Sequence, residues 1–209
     1  MSPACEHAAD NARALCLLQL RADPQYRRIA QNRHVALVEA ALDDGNALAD
    51  TARQQWGQDP LAIASYCNVP VTCSELDASY GSVTVYAEYI NRPPSIKLYL
   101  PAIRRLEELI AGSPIQLRLA NTSALSIFLA HELYHHFDCL RGEARLSRQH
   151  RVPILGIGKW VWTSGLESLA EIAAGAFAQR LLGLTFHPAI FDLLLAESQG
   201  EPAKALEHA

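Results

Sequence analysis

Apolar residues recur every three to four positions through the first 57 residues. The pattern is clearest in PQYRRIAQNRHVALVEAALDDGNALADTARQQWG, where it predicts helix, with an end at Gly57 before an Asp-Pro turn. From 66 to 100 the period changes. VPVTC, SVTVYAEYI and SIKLYLP are rich in β-branched and aromatic residues, and NRPP at 91–94 reads as a turn, which predicts a small antiparallel sheet. After Pro101 the helical pattern returns. AIRRLEELIAG is stopped by Gly112, and a helix follows over about 122–138 with Asn121, Thr122 or Ser123 as its cap. Another helix is expected over about 163–182, and a shorter one after His187-Pro188. No repeat or low-complexity segment interrupts the chain, so 1–57 is read as a helical segment packed on the same domain as 58–209.

With 209 residues, half of them hydrophobic and 19% charged, the chain is long enough to close a core around a site. A net charge of -4 argues against a protein that holds nucleic acid by its phosphates. The arginines at 141–151 are explained by a solvated loop as well as by a ligand. MSPACEHAADNARALCLLQL has no basic n-region of a secretory signal, and no window reaches the length of a membrane span, so a cytoplasmic protein is expected. Five cysteines at 5, 16, 67, 73 and 139, none in CxxC spacing, read as free thiols.

Titratable groups concentrate in AHELYHHFD at 130–138, within a stretch apolar enough to be buried. On a helix His131 and His135 lie about 40° apart and one turn apart in height, the placement two imidazoles need to share a metal. Glu132 falls beside such a metal, where a carboxylate can take a proton from water. His136 points elsewhere, among Leu125, Leu129, Leu133 and Leu140, and reads as a packed, hydrogen-bonded histidine. A catalytic zinc takes three protein ligands and leaves the fourth position to water. The next helix, SGLESLAEIAAGAFAQRLLG, offers Glu167 and Glu171, four apart on one face among small residues that permit close helix approach. The competing reading is an ordinary helix with solvent-facing histidines beside an Ala-rich packing helix, which leaves the two carboxylates unexplained.

HELYH followed by ESLAEIAAGAFA resembles the gluzincin arrangement of HExxH and then ExxA(D/E)xxA. That resemblance implies His131 and His135 as zinc ligands, Glu132 as general base, Glu167 as third ligand, and Glu171 as the acid that orients a ligand histidine. Residues 46–182 are also similar to the ImmA/IrrE-type metallopeptidases. In that family the third-ligand segment reads ExEANxFA, and EIAAGAFA then puts Glu171 in the first glutamate position, without the second Glu and the Asn. This likeness implies an α+β zincin-like metalloprotease domain with its HExxH helix at the active site. It also implies a cytoplasmic zinc enzyme whose substrate is a peptide or protein, in some members a helix-turn-helix repressor.

The connection at 141–165 is long for a compact domain and reads as a lid or binding loop. His150, within it, or a tyrosine is a candidate oxyanion partner. Trp160 and Trp162 are expected to anchor the loop to the core, and Cys139 to be a neighbour of the metal rather than a ligand. The 83–100 hairpin has an edge that an extended peptide can pair with. The expected function is a zinc metalloendopeptidase, with no nucleic-acid or membrane partner. A zinc hydrolase of a small amide and a catalytically idle zinc-binding sensor domain are the alternatives.

Overall fold

In the computed structural model, residues 11–80, 83–119, 122–157 and 160–198 are described. Residues 1–10 of the N-terminal stretch, including Cys5, and Asn121 lie outside them. Helices α1 (Ala12–Ala22), α2 (His34–Trp56) and α3 (Pro60–Tyr66) come first. Along α2 the buried positions Leu37, Val38, Ala41, Gly45, Ala49 and Ala52 fall three to four apart, so one stripe of the helix faces inward. It ends at Gly57, whose φ of 87° is reached at little cost without a side chain.

Strand β1 (Val71–Ser74) is followed by the two-residue strands β2 (Ser79–Tyr80) and β3 (Val83–Thr84), then β4 (Ala87–Asn91) and β5 (Pro94–Tyr99). β4 and β5 are antiparallel across the expected turn, with Asn91 opposite Pro94. β1, however, joins the other side of β5 in parallel, giving the order β1-β5-β4. The sheet is therefore mixed where an antiparallel one was expected. The intervening chain from β2 to β4 carries it back to the side from which β1 started, and only a parallel pairing is then available to β1. β4 is left as a sheet edge. Ile96 and Leu98 of β5 point into the core, and Lys97 between them faces away.

Helices α4 (Leu100–Ala111), α5 (Ile115–Arg118), α6 (Ala124–Leu140) and α7 (Leu146–Gln149) follow. Ser123 caps α6, its hydroxyl accepting from the Ser126 amide. The expected loop at 141–165 instead holds α7 and an antiparallel hairpin of β6 (Arg151–Ile157) and β7 (Trp160–Gly165). A hairpin satisfies its own backbone, which a structureless connection cannot do away from water. Because β7 runs to Gly165, α8 (Glu167–Leu182) starts four residues later than the expected 163. Its end is as expected, with Gly183 left-handed after Leu182. α9 (Ile190–Ser198) completes the described chain, and no helix among the described residues is long and apolar enough to cross a membrane.

One hydrophobic cluster joins α1, α2, β5, α4, α6 and α8, through residues such as Leu20, Val38, Ile96, Leu106, Ile127 and Phe177. Its tightest seam lies between α2 and α8. A Cβ built on Gly45 would stand 2.2 Å from the Ala173 carbonyl oxygen and 2.9 Å from the Ala176 methyl. Alanine is the better helix former by about 1 kcal/mol, yet there is no room for it. Gly45→Ala is expected to lower stability by about 1–3 kcal/mol through forced separation of the two helices. Urea unfolding of parent and variant checks this, and a variant as stable as the parent would disprove the seam.

Candidate metal centre

Helix α6 carries His131, Glu132 and His135, and α8 crosses it bearing Glu171. The Nε2 atoms of His131 and His135 are 3.2 Å apart. Glu171 Oε2 lies 3.1 Å from His131 Nε2, and its Oε1 lies 3.4 Å from His135 Nε2. These three side chains form the group among the described residues whose potential ligand atoms converge. Metal-ligand bonds of 2.0–2.2 Å at tetrahedral angles place neighbouring donor atoms about 3.3 Å apart. The triangle fits one zinc-sized ion, with two imidazoles and a carboxylate as its donors.

Glu167 is not in this group. Of the two glutamates, the chain brings Glu171 against both histidines, whereas the gluzincin alignment had favoured Glu167 as ligand and Glu171 as the outer acid. Glu167 occupies the first turn of α8, exposed at the lip of the cleft, and Glu171, one turn further in, is where α8 meets the histidines of α6. The ImmA/IrrE alignment puts Glu171 in that place.

The Glu171 side chain is 52% exposed because its carboxylate faces an open cleft, with protein packed behind it. Burial would push its carboxyl up, but hydrogen bonds and positive charge from His131 and His135 outweigh that and hold it well below the usual range. His131 shows the reciprocal effect. Burial opposes its protonation, and the hydrogen bond and charge of Glu171 raise its pKa nonetheless. Glu132 is only 7% exposed, and burial raises its carboxyl pKa against the pull of His131 and His135. The Tyr89 backbone N–H of edge strand β4 donates to the Glu132 carboxylate.

Further contacts set these groups, and sequence patterns carried no signal for the partners Asp44, Asp23 and Tyr89. Tyr134, fully buried, donates its hydroxyl to Asp44 Oδ2 at 2.8 Å, and Arg141 Nη1 donates to both Asp44 oxygens, so α6 is clamped to α2 on either side of His135. Asp23, beyond the end of α1, accepts from the Ser168 amide through Oδ2 at 3.1 Å and so caps α8, whose own N-cap, Leu166, offers no side-chain acceptor. His136 is packed as expected, its Nδ1 3.1 Å from the Tyr89 hydroxyl, which ties α6 to β4 a second time.

Other expectations fare unevenly. Cys139 lies beside the site without joining the ligand group, lining the cavity on the His135 side. Cys67 and Cys73 are free thiols, as are Cys16 and Cys139. His150 lines none of the cavities around the site. Trp160 and Trp162 do not anchor 141–165 to the core: they stand 77% and 51% exposed on β7, because the hairpin is held by its own ladder and by Arg28 donating to the Pro153 and Ile154 carbonyls.

Cavities open on both sides of Glu132. One of about 260 Å³ is lined by Tyr86, Phe128 and Phe191 as well as by His131 and Glu171. The other, of about 440 Å³, carries Tyr89, Asn91, Asp138 and Arg145. Beneath the first lies His187, fully buried against Gly175, where an added Cβ would stand 2.4 Å from the imidazole. His187 Nδ1 accepts from the Ala189 amide, so Nε2 is the protonated nitrogen and donates to the Ile172 carbonyl. Cys16 Sγ is 3.7 Å from that Nε2, but burial pushes the thiol up to about 12, which rules out an activated thiolate nucleophile.

Burial also holds the His187 imidazole down to about 4, whereas the unfolded chain protonates near 6.5. Between those values the unfolded state binds more protons, so stability falls as the pH is lowered through the window, by about 3 kcal/mol for this one group. His187→Gln is expected to flatten the slope of unfolding free energy against pH between 6.5 and 4. Urea titrations at a series of pH values check it, an unchanged slope being the contrary result. No protein-family model matches this chain, and no curated protein or solved structure matches it.

Proposed function

We propose that the protein is a zinc-dependent peptidase of the zincin type, in which His131, His135 and Glu171 hold the ion and Glu132 is the general base. The observation that carries this reading is the triangle of donor atoms with edges of 3.1–3.4 Å. A bound zinc ion supplies Lewis acidity, polarising the scissile carbonyl and lowering the pKa of water toward about 7. Glu132 takes the proton of the attacking water and passes it to the leaving amide nitrogen. Its burial suits it to this, since a raised proton affinity brings a carboxylate nearer to the working pH of a base.

The shape of the cleft favours an extended chain over a small amide. Cavities flank Glu132 along β4, one at Thr84–Ala87 and the other at Ala87–Asn91, whereas a small-amide hydrolase calls for one deep closed pocket. Among the described residues β4 is an edge strand, whose outward backbone groups an extended peptide can engage. The Tyr89 amide is already taken by Glu132, so pairing falls to the remaining edge groups. The resemblance to ImmA/IrrE-type enzymes adds a cytoplasmic setting and a helix-turn-helix repressor as the candidate protein substrate.

Substitutions separate the roles. Glu171→Ala is expected to lose its zinc on dialysis against a mild chelator, while Glu167→Ala keeps the parent's metal content. Glu132→Gln is expected to keep zinc and to hydrolyse peptide or repressor about 10²–10⁴-fold more slowly. Metal analysis and a cleavage assay on the three variants check both points. Zinc loss in Glu167→Ala beside a loaded Glu171→Ala would reverse the ligand assignment, and parent-like cleavage by Glu132→Gln would exclude this mechanism.

A further inference from the structure

On the β6–β7 hairpin, Trp160 and Trp162 are two apart and point to one side, and Leu155 stands opposite Trp162 on that same side. These side chains are 77%, 51% and 57% exposed. At the root of the same face Val152, opposite Ser164, is buried in the main hydrophobic cluster. The irregularity between Pro153 and Leu155 keeps Val152 and Leu155 on one side although they are three apart. The face therefore runs from the core out to open surface within a few rungs. Single exposed apolar residues need no explanation, but two tryptophans and a leucine on one face of a separate two-stranded ladder do.

The root of the hairpin is bordered by arginines. Arg28 donates to the Pro153 and Ile154 carbonyls, and Arg151 to the Thr163 hydroxyl and carbonyl. Arg27 adjoins Arg28 in the chain. Arg33 lies near enough to His150, the neighbour of Arg151, that burial and its charge together hold that imidazole below its usual range. All four arginines are exposed, and among the described residues none pairs with a carboxylate. Elsewhere the surface neutralises such groups, as with Arg104 and Glu75, Arg105 and Asp77, or Arg180 and Asp50. In a chain of net charge -4, four uncompensated positive charges in one place make a local field of opposite sign.

Charge argues against a second copy as the cover, since a symmetric contact brings the arginines of both chains together. Area argues against a folded protein partner. The three apolar side chains offer at most about 500 Å², whereas a stable interface needs about 800 Å² from each side. A bilayer requires no matching shape. Its interfacial region accepts tryptophan, and arginines nearby meet anionic headgroups. The levels also fit: Trp162 is three residues along β7 from Gly165, the partner of Arg151, so aromatic and basic groups are separated by about 10 Å along the strand. Apolar faces that lie on membranes sink about 5–10 Å. We infer that the hairpin is a membrane-contact arm, in which Trp160, Trp162 and Leu155 enter the interface of a bilayer containing anionic lipid and Arg27, Arg28, Arg33 and Arg151 meet its phosphates. The inference is independent of the peptidase reading. A surface contact needs no membrane-spanning helix, so the lack of one among the described residues does not bear on it.

The test uses the full chain and large unilamellar vesicles of phosphatidylcholine, alone or with about 30 mol% phosphatidylglycerol. In co-sedimentation at about 0.1 M salt, binding to the anionic vesicles is expected to be about tenfold or more tighter than to the neutral ones, and to weaken steeply toward about 1 M salt. Bromine on the acyl chains is expected to quench Trp160 and Trp162 but not Trp56, which is stacked on Phe137 against the core. The Trp160→Ser, Trp162→Ser double variant is expected to lose binding. The Arg27→Gln, Arg33→Gln double variant is expected to lose most of the preference for anionic vesicles while melting like the parent. If the tryptophan variant does not fold, quenching in the parent and the arginine variant decide the matter. A parent that binds neither vesicle overturns the inference, and so does binding that leaves the tryptophans unquenched. A dimer in lipid-free sedimentation equilibrium that the tryptophan variant loses also overturns it, because a second copy then covers the face. Tryptophan quenching by a thymidine oligonucleotide without vesicle binding assigns the face to nucleic acid and overturns it as well.

Discussion

Helix α8 passes so close to α2 that Gly45 meets the Ala173 carbonyl and the Ala176 methyl directly, and the geometry of the site depends on that passage. A glutamate side chain is short. For Glu171 to reach imidazoles on α6, the backbone of α8 must run beside α6 with nothing bulky between, and the small residues from Ala170 to Ala176 make that possible on more than one face of the helix. Ala173 and Ala176 serve the contact with α2, while Gly175 leaves the volume that the His187 ring fills. Close packing on one side of α8 thus positions a charged group on another.

Bringing two histidines and two glutamates into the lining of a cleft is expensive unless each has partners. The fold supplies them from elements distant in the chain. Asp44 receives Tyr134 and Arg141, which fixes the rotation of α6 about its axis on either side of His135. Asp23 caps α8 from the end of α1, which holds Glu167 and Ser168 at the rim. Tyr89 gives its amide to Glu132 and its hydroxyl to His136, so the edge strand is pinned to α6 at the proposed base. Each contact joins residues that no local pattern relates. Together they hold the donor atoms at separations suited to one small ion.

The surroundings of the candidate metal centre are unlike on different sides. Tyr86, Phe128 and Phe191 form an aromatic wall on one side of Glu132, and Asn91, Asp138 and Arg145 a polar one on the other. Behind Glu171 the lining turns acidic, with Asp23, Glu167 and Asp192. The compartments of the cleft thus differ in charge and in apolar area.

Much of this was legible in the chain. The helical period of α2, its stop at Gly57, the turn between β4 and β5, the helix around HExxH with its Ser123 cap, and the end of α8 at Gly183 all follow from local rules, because helix caps, glycine stops and side-chain periodicity act over a few residues. The same local geometry puts His131 and His135 one turn apart on one face. Tertiary structure decided the rest. Whether β1 pairs parallel or antiparallel depends on where the intervening chain returns, which no alternation of residues encodes. The folding of 151–165 into a hairpin moved the start of α8 to Glu167, and the passage of α8 beside α6 settled which of two glutamates, left equivalent by sequence spacing, meets the histidines. Asp23, Asp44, Tyr89 and His187 act through partners 47 to 145 residues away, or in the case of His187 across the floor of the cleft, and such pairings exist only once the helices have packed. Local sequence fixed which groups can bind a metal, and the packing of α8 against α2 and α6 fixed which of them meet.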